Sequence, residues 1–278
     1  MGELTSPGVV VAVLTYQRPE DLAEVLPALV VQAQTLAPPA QVLVVDNDPD
    51  GSAAKVVERF GSALVAYVHE PRPGIAAARN RALRECDREL LVFVDDDERP
   101  SETWLRSLVE VYLAERPAGV VGPVVSEYAH EVDPWIVAGR FFQRLRHPTG
   151  THVTTAATNN LLLDMAQVSA LGLEFDERFG LSGGSDTLFT RGLTAAGGRL
   201  VWCDEAVVTD VVPASRLTRE WVRRRAYRMG NSDSRAALEL AAGRASRFRA
   251  RVRAAARGAF RLAGGLAGWA AGVLTGSQ

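Results

Sequence analysis

The stretch Leu90-Leu91-Val92-Phe93-Val94-Asp95-Asp96-Asp97-Glu98 decides how this chain is read. Its apolar half is β-branched and aromatic without alternation, which suits a strand buried on both faces rather than one. Four acids follow with no spacer. Like charges this close raise one another's pKa unless a cation or solvent offsets them. A hard divalent cation, Mg²⁺ or Mn²⁺, is the simplest compensation, because it takes oxygen ligands and bridges carboxylates to substrate phosphates. Positions 95 and 97 alternate and so can aim two carboxylates into one cleft. The competing reading is that the acids only complement the N-terminal dipole of the next helix.

Outward from this strand, apolar runs alternate with helical patterns. The periodicity predicts strands over Val9 to Leu14, Gln41 to Val45 and Leu64 to Val68, with helices over Pro19 to Gln34, Ser52 to Phe60 and Ile75 to Cys86. Such alternation builds a mostly parallel sheet covered on both faces. Ligands of open sheets sit beyond the carboxyl ends of the strands. Three polar clusters fall there: Thr15-Tyr16-Gln17-Arg18, Asp46-Asn47-Asp48 and Asp95 to Glu98. Their convergence favours a ligand site over a helix cap.

Further along, Ser101 to Ala114 reads as a helix and Val120 to Val125 as one strand, followed by an irregular stretch to about Thr151 that holds Trp135, Arg140, Arg144 and Arg146. A long loop in a compact domain is usually functional, and here it is expected to carry specificity, with Trp135 as its aromatic candidate. A strand over Thr154 to Leu163, a short helix after Asp164, and a glycine-rich run from Gly180 through Gly183-Gly184 to Asp186 come next. Asp186 opens a helix over Thr187 to Ala196, where local sequence favours an N-cap, a role compatible with a general base at a cleft edge. Strands over Arg199 to Cys203 and Ala206 to Val211 precede a helical remainder.

Six ordered segments resemble glycosyltransferase family 2: VAVLTYQRPEDL (11–22), VLVVDNDPDG (42–51), RPGIAAARNRAL (72–83), LLVFVDDDERPSETWL (90–105), FGLSGGSDTLFTRGLTAAGG (179–198) and RRAYRMGNS (224–232). The resemblance implies a GT-A-type fold, Rossmann-like, with a mixed, mostly parallel sheet flanked by helices and here a C-terminal helical extension. It also implies a nucleoside-diphosphate sugar donor, a divalent metal (Mn²⁺ or Mg²⁺) and an inverting single displacement onto a hydroxyl acceptor. Carried over by position, Thr15, Tyr16 and Arg18 border base and ribose, and Asp46 bonds the base edge, which suits UDP. Arg79, Asp95 and Asp96 lie against the nucleotide, Asp97 with Asp95 holds the metal, and Asp186 is the catalytic carboxylate. Asn159, Gly183, Gly184, Trp135, Arg224 and Arg225 are assigned to donor or acceptor contacts. Two positions depart from the family pattern: Ser185 stands where an acid usually precedes the catalytic Asp, and Val211 where a histidine is frequent.

The resemblance covers residues 9–232, expected to form the catalytic domain, with a nucleotide half to about 123 and an acceptor half from 124. Residues 233–278 form a basic tail. From Arg216 onward the sequence has 14 arginines against three acids, a charge of +11 that leaves −13 on residues 1–215. Helical projection of the tail sets Phe248, Val252, Ala255, Ala259 and Leu266 on one stripe among seven arginines between Gly243 and Leu266. That pattern belongs to a helix lying on an anionic membrane surface, which would suit a lipid-linked acceptor; nucleic acid is not an expected partner. Leu262 to Leu274 is too short and glycine-rich to span a bilayer. Two isolated cysteines, Cys86 and Cys203, and no signal-like start at Met1 to Gly8 point to a cytoplasmic enzyme, peripheral on the inner face of the cell membrane. His69, His130, His147 and His152 lack metal-ligand spacing. Neither a nucleotidyltransferase nor a dinucleotide oxidoreductase fits, since TYQRPEDL offers no glycine-rich phosphate loop after the first strand. The remaining alternative is a catalytically silent nucleotide-sugar-binding protein of the same fold.

Overall fold

The computed structural model describes residues 7–180 and 183–275; Leu181 and Ser182 of the glycine-rich run, residues 1–6 and the Leu266 side chain of the apolar stripe lie outside the described residues. The first half is a regular alternation: β1 (Val9–Thr15), α1 (Pro19–Gln34), β2 (Gln41–Asp46), α2 (Ala54–Phe60), β3 (Val65–His69), α3 (Ile75–Glu85) and β4 (Leu90–Asp95). β5 (Glu98–Pro100), α4 (Trp104–Glu115), β6 (Gly119–Val121), β7 (Val124–Tyr128) and α5 (Pro134–Gly139) follow. Then come β8 (His152–Val153), β9 (Asn160–Asp164), α6 (Met165–Ala170), α7 (Ser185–Ala195), β10 (Leu200–Trp202), β11 (Val208–Val212), α8 (Arg219–Glu239) and α9 (Gly243–Thr275).

The large sheet has the order β3-β2-β1-β4-β9-β6-β10-β8, and a small one has the order β5-β11-β7. β3, β2, β1 and β4 pair in parallel, while β9 runs antiparallel between β4 and β6. Unbroken apolar strands were expected to bury both faces, and they do. Val9, Val11 and Val13 pack on one side with Leu22, Leu26 and Leu29 of α1 and Leu105 and Leu108 of α4. Val10, Ala12 and Leu14 pack on the other with Ala76, Ala78 and Ala82 of α3 and with Phe175 and Phe189. Each such buried aliphatic contributes about 1.5–3 kcal/mol, so this four-stranded block forms a rigid floor under the strand ends.

Four expectations about elements need correction. The run 120–125 is two strands, because Gly122-Pro123 breaks it: a Cβ at Gly122 would lie 2.3 Å from Ala206 O and Asn160 Nδ2, and proline cannot donate to a ladder. β6 therefore stays in the large sheet while β7 crosses to the small one. Residues 154–159 do not extend β9; Ala156 N–H donates to Thr190 Oγ1 of α7 (3.1 Å) instead of to a strand. The stretch expected to be irregular contains α5, which starts at Pro134, a residue pre-set for the first helical position. Finally, the boundary placed at 232 falls inside α8, which runs unbroken to Glu239.

Candidate active site

β4 ends at Asp95, and a turn carries Asp96 and Asp97 to β5, so the acids stand at the rim where the large sheet meets the small one. Burial pushes the Asp95 carboxyl up to about 6, with Asp97 and Asp96 adding to the shift and the Arg79 guanidinium opposing it. Asp96, 4% exposed, is likewise raised to about 6 by burial, against the pull of Arg18. Glu98, paired across the small sheet with Asp210, is raised well above the carboxylate range by burial and by Asp95. Arg18 donates to Asp96 (3.0 Å) and Asp97 (2.8 Å), and Arg216 reaches Asp97 at 3.4 Å. Arg18 therefore straddles the acidic run rather than only bordering base and ribose as expected. A cavity of about 580 Å³ opens here, walled by Asp96, Asp97, Glu98, Val211 and Arg216.

A second cavity of about 430 Å³ adjoins it, lined by Thr15, Tyr16, Arg18, Asn47, Gly74, Ile75 and Asp95. Tyr16 is half exposed at its mouth. Gln17 beside it holds a positive φ of 55°, a costly conformation for a non-glycine residue and one that marks functional loops. Asp46 does not take the expected place on this wall. It is fully buried, and its two oxygens accept from the Asp48 (3.0 Å) and Ala53 (2.8 Å) N–H groups and from the Tyr67 hydroxyl (3.1 Å). Burial and the Asp46 charge push Tyr67 up to about 12. Asp46 thus braces the loop from below, and Asn47 is its cavity-facing neighbour. Asn47 donates to Glu70 O (2.8 Å) and Arg72 O (2.7 Å) and accepts from Gly74 N–H (2.9 Å), which fixes the entry to α3.

Arg79 is 9% exposed within α3. It donates to Ser185 Oγ at 2.8 Å and lies 5.5 Å from the Phe175 ring centre. Burial lowers its pKa, and the charges of Asp186 and Asp95 raise it. Ser185, the departure noted before Asp186, is fully buried and supplies the acceptor that aims Arg79. The cap of α7 is Gly184 at φ 96°, not Asp186. Asp186 stands in the first turn, half-buried, with Oδ1 accepting from the Thr187 N–H (2.7 Å). Gly183, at φ 80°, is held through its carbonyl by Ser232 Oγ (3.2 Å) of α8.

The remaining expected residues disperse. Asn159 donates to Glu98 and so supports the acidic rim. Trp135 sits in α5 with Phe141 at 5.4 Å and the Arg219 guanidinium at 5.3 Å from its ring centre, and it lines neither cavity. Arg224 is exposed and pairs with Glu220, whereas Arg225 turns inward over Trp221 (5.3 Å) and Phe142 (5.5 Å). Asn47 and Glu98 belong to the strand-end clusters read from the sequence, which gave them no role of their own. Arg216 was missed, because a short 3-10 turn after β11 delivers it from far along the chain.

An open, doubly covered sheet with a carboxylate cluster and a deep cavity beyond its parallel strand ends defines an α/β ligand-binding enzyme architecture. The sequence profile described as Glycosyl transferase family 2 matches residues 10–167, and the chain belongs to that family. It is 36% identical over 236 residues to the succinoglycan biosynthesis protein ExoM of Rhizobium meliloti strain 1021, covering 84% of this chain and 76% of that one. In fold it matches the mannosyltransferase PcManGT of Pyrobaculum calidifontis, solved with GDP-Man and Mn²⁺, with a TM-score of 0.66 and 20% identity over 99% of this chain and 77% of that one. It also matches S. aureus TarS 1-349 in complex with UDP-GlcNAc, with a TM-score of 0.59 and 19% identity over 84% and 70% of the two chains. The GT-A architecture expected from the sequence is therefore the one observed.

Proposed function

We propose that this glycosyltransferase moves a sugar from a nucleoside-diphosphate donor to an acceptor hydroxyl with inversion, using a divalent cation. The observation that carries the reading is the buried Arg79: it is bonded to Ser185, the residue before Asp186, and its guanidinium lies in the field of both Asp186 and Asp95. The base and ribose would enter the cavity between Tyr16, Asn47 and Gly74. Asp46 is buried against Asp48, Ala53 and Tyr67 and leaves the identity of the base open to the titrations below. GDP-Man and UDP-GlcNAc in the two structural neighbours support a nucleotide-sugar donor without choosing between them.

The acidic rim fits a cation. Asp96 Oδ2 and Glu98 Oε2 are buried with no hydrogen-bond partner, and the oxygen-only donor set is hard; Arg18 and Arg216, which pair with Asp97, would have to pass from that carboxylate to the donor's phosphates for the ion to bind. Asp97 and Asp95 would hold the ion. Among the described residues no three His, Cys, Asp or Glu side chains gather as a metal cluster, so donor phosphate and water would complete the shell. When bound, the cation supplies charge neutralisation on the departing diphosphate. Asp186 accepts the proton of the attacking hydroxyl, and the attack from the face opposite the leaving group inverts the anomeric carbon. Arg79 holds the two carboxylates in register. The basic helix α9 would rest the enzyme on an anionic membrane surface, where a lipid-linked acceptor is at hand.

Thermal-shift titration with UDP, GDP, dTDP and their sugars, with and without Mn²⁺, tests the reading, followed by a hydrolysis assay on any stabilising donor. Metal-dependent stabilisation by at least one of them is expected. Stabilisation without turnover would favour the silent-binder alternative, and no stabilisation by any would overturn the proposal.

A further inference from the structure

Behind the acidic rim lies a third cavity, of about 390 Å³, whose charge the donor site does not explain. Four guanidiniums border it: Arg144, Arg216, Arg225 and Arg228. One carboxylate faces them. Asp210 accepts from Arg144 at 2.9 Å and lies 3.6 Å from Arg216, while Arg216 is shared with Asp97 in the neighbouring cleft. The Nε–H of Arg144 is buried with no acceptor. The floor is aromatic: Phe142 and Trp221 stack with their ring centres 5.5 Å apart, and the Arg225 guanidinium covers both. Burial lowers the Arg225 pKa, and Arg144, Arg216 and Arg228 lower it further, with Asp210 alone opposing.

Gathering four like charges around one acid is costly unless an anion joins them. Guanidiniums present forked donors that match phosphate oxygens and are less strongly hydrated than ammonium groups, so a partly desolvated arginine cage selects phosphate esters. We propose that this pocket is a phosphate-group subsite, joined to the nucleotide and metal cleft through Arg216. The stacked Phe142–Trp221 floor gives the ester's organic part an apolar surface. The phosphate has two possible sources: an acceptor that carries its own phosphate or diphosphate, or the donor's diphosphate as it leaves. Phosphate binding stands on the pocket's own geometry, and the assignment of its source rests on the proposed reaction.

The test is calorimetric titration of the full chain with phenyl phosphate in metal-free buffer. Saturable binding is expected, tighter than for inorganic phosphate and weakening as salt rises. Arg228→Gln, an exposed position that should not disturb folding, and Arg225→Gln should each weaken it at least fivefold, with Arg225→Lys intermediate. A repeat with a nucleoside diphosphate and Mg²⁺ saturating the adjacent cleft separates the sources: unchanged affinity assigns the subsite to a phosphorylated acceptor, and competition assigns it to the donor's diphosphate. Absence of saturable binding, or variants that bind as tightly as the parent, would overturn the subsite whatever the nucleotide titrations give.

Discussion

Asp186 stands two positions beyond the cap of α7, Gly184, and that displacement matters chemically. A capping carboxylate spends its oxygens on backbone N–H groups, whereas Asp186 has one oxygen on the Thr187 N–H and the other available to a proton. Asp186→Asn should lower kcat by about 10²–10⁴, the usual worth of a general base, while donor Kd measured calorimetrically stays within about twofold; a kcat near the parent's would exclude the role. At the neighbouring cavity, Val211 shares a wall with Asp96, Asp97 and Glu98. An imidazole there would add a nitrogen ligand suited to Mn²⁺. Val211→His should therefore tighten Mn²⁺ binding by roughly tenfold in the presence of nucleotide, read by Mn²⁺ paramagnetic resonance, and an unchanged affinity would mean that position 211 does not reach the ion. The acids at 95–97 were legible because nothing apolar explains such a run at a strand end. The division of labour between Asp46 and Asn47 was not, because which of two consecutive polar residues turns under a loop depends on the donors that close it, here Ala53 and Tyr67.

Elements were legible where one physical cause acted alone. α1 runs from Pro19 to Gln34, as its periodicity predicts, with Pro19 at the start and Glu20 and Asp21 favouring the positive end of its dipole. The segment 120–125 was misread because its break is tertiary: Gly122 is squeezed between Ala206 O and Asn160. Asn160 is the clasp of that junction. Its Oδ1 accepts from Trp104 Nε1 (2.9 Å), and its Nδ2 donates to Pro123 O (2.9 Å) and Ala206 O (2.7 Å). Asn160→Ala would strand three buried groups and should cost about 3 kcal/mol or more, measured as a lower urea midpoint; a cost under about 1 kcal/mol would mean that the junction closes without it. At the other end of the site, Gly184 has φ 96°, and a Cβ there would meet Ser232 Cβ at 2.8 Å. Gly184→Ala should destabilise the protein by about 1–3 kcal/mol and lower kcat more than donor affinity, because it moves the first turn of α7 that carries Asp186.

Charge divides along the chain, with −13 on residues 1–215 and +11 from Arg216 onward. No helix among the described residues is long and apolar enough to cross a membrane, so the question is what covers α9. α9 touches α8 and is tied to it by Arg257 with Asp233, which Arg191 of α7 also engages. Phe248 (67% exposed), Phe260 (81%) and Leu262 (66%) nevertheless remain open among arginines. Aromatic and aliphatic side chains left uncovered beside guanidiniums match the two components of interfacial binding: apolar insertion, and attraction to anionic lipid worth about 1 kcal/mol per basic residue near the surface. The two components respond differently to salt, since screening removes only the second. Full-length protein should therefore co-sediment with phosphatidylserine-containing vesicles, less so at high salt and far less with phosphatidylcholine alone. Phe248→Ser with Phe260→Ser should weaken binding without altering that salt dependence. Removal of residues 244–278 should abolish it while leaving nucleotide-induced stabilisation in place. If the truncated chain sediments as the full one does, α9 is a packed surface helix whose arginines serve the catalytic domain, and the membrane role falls.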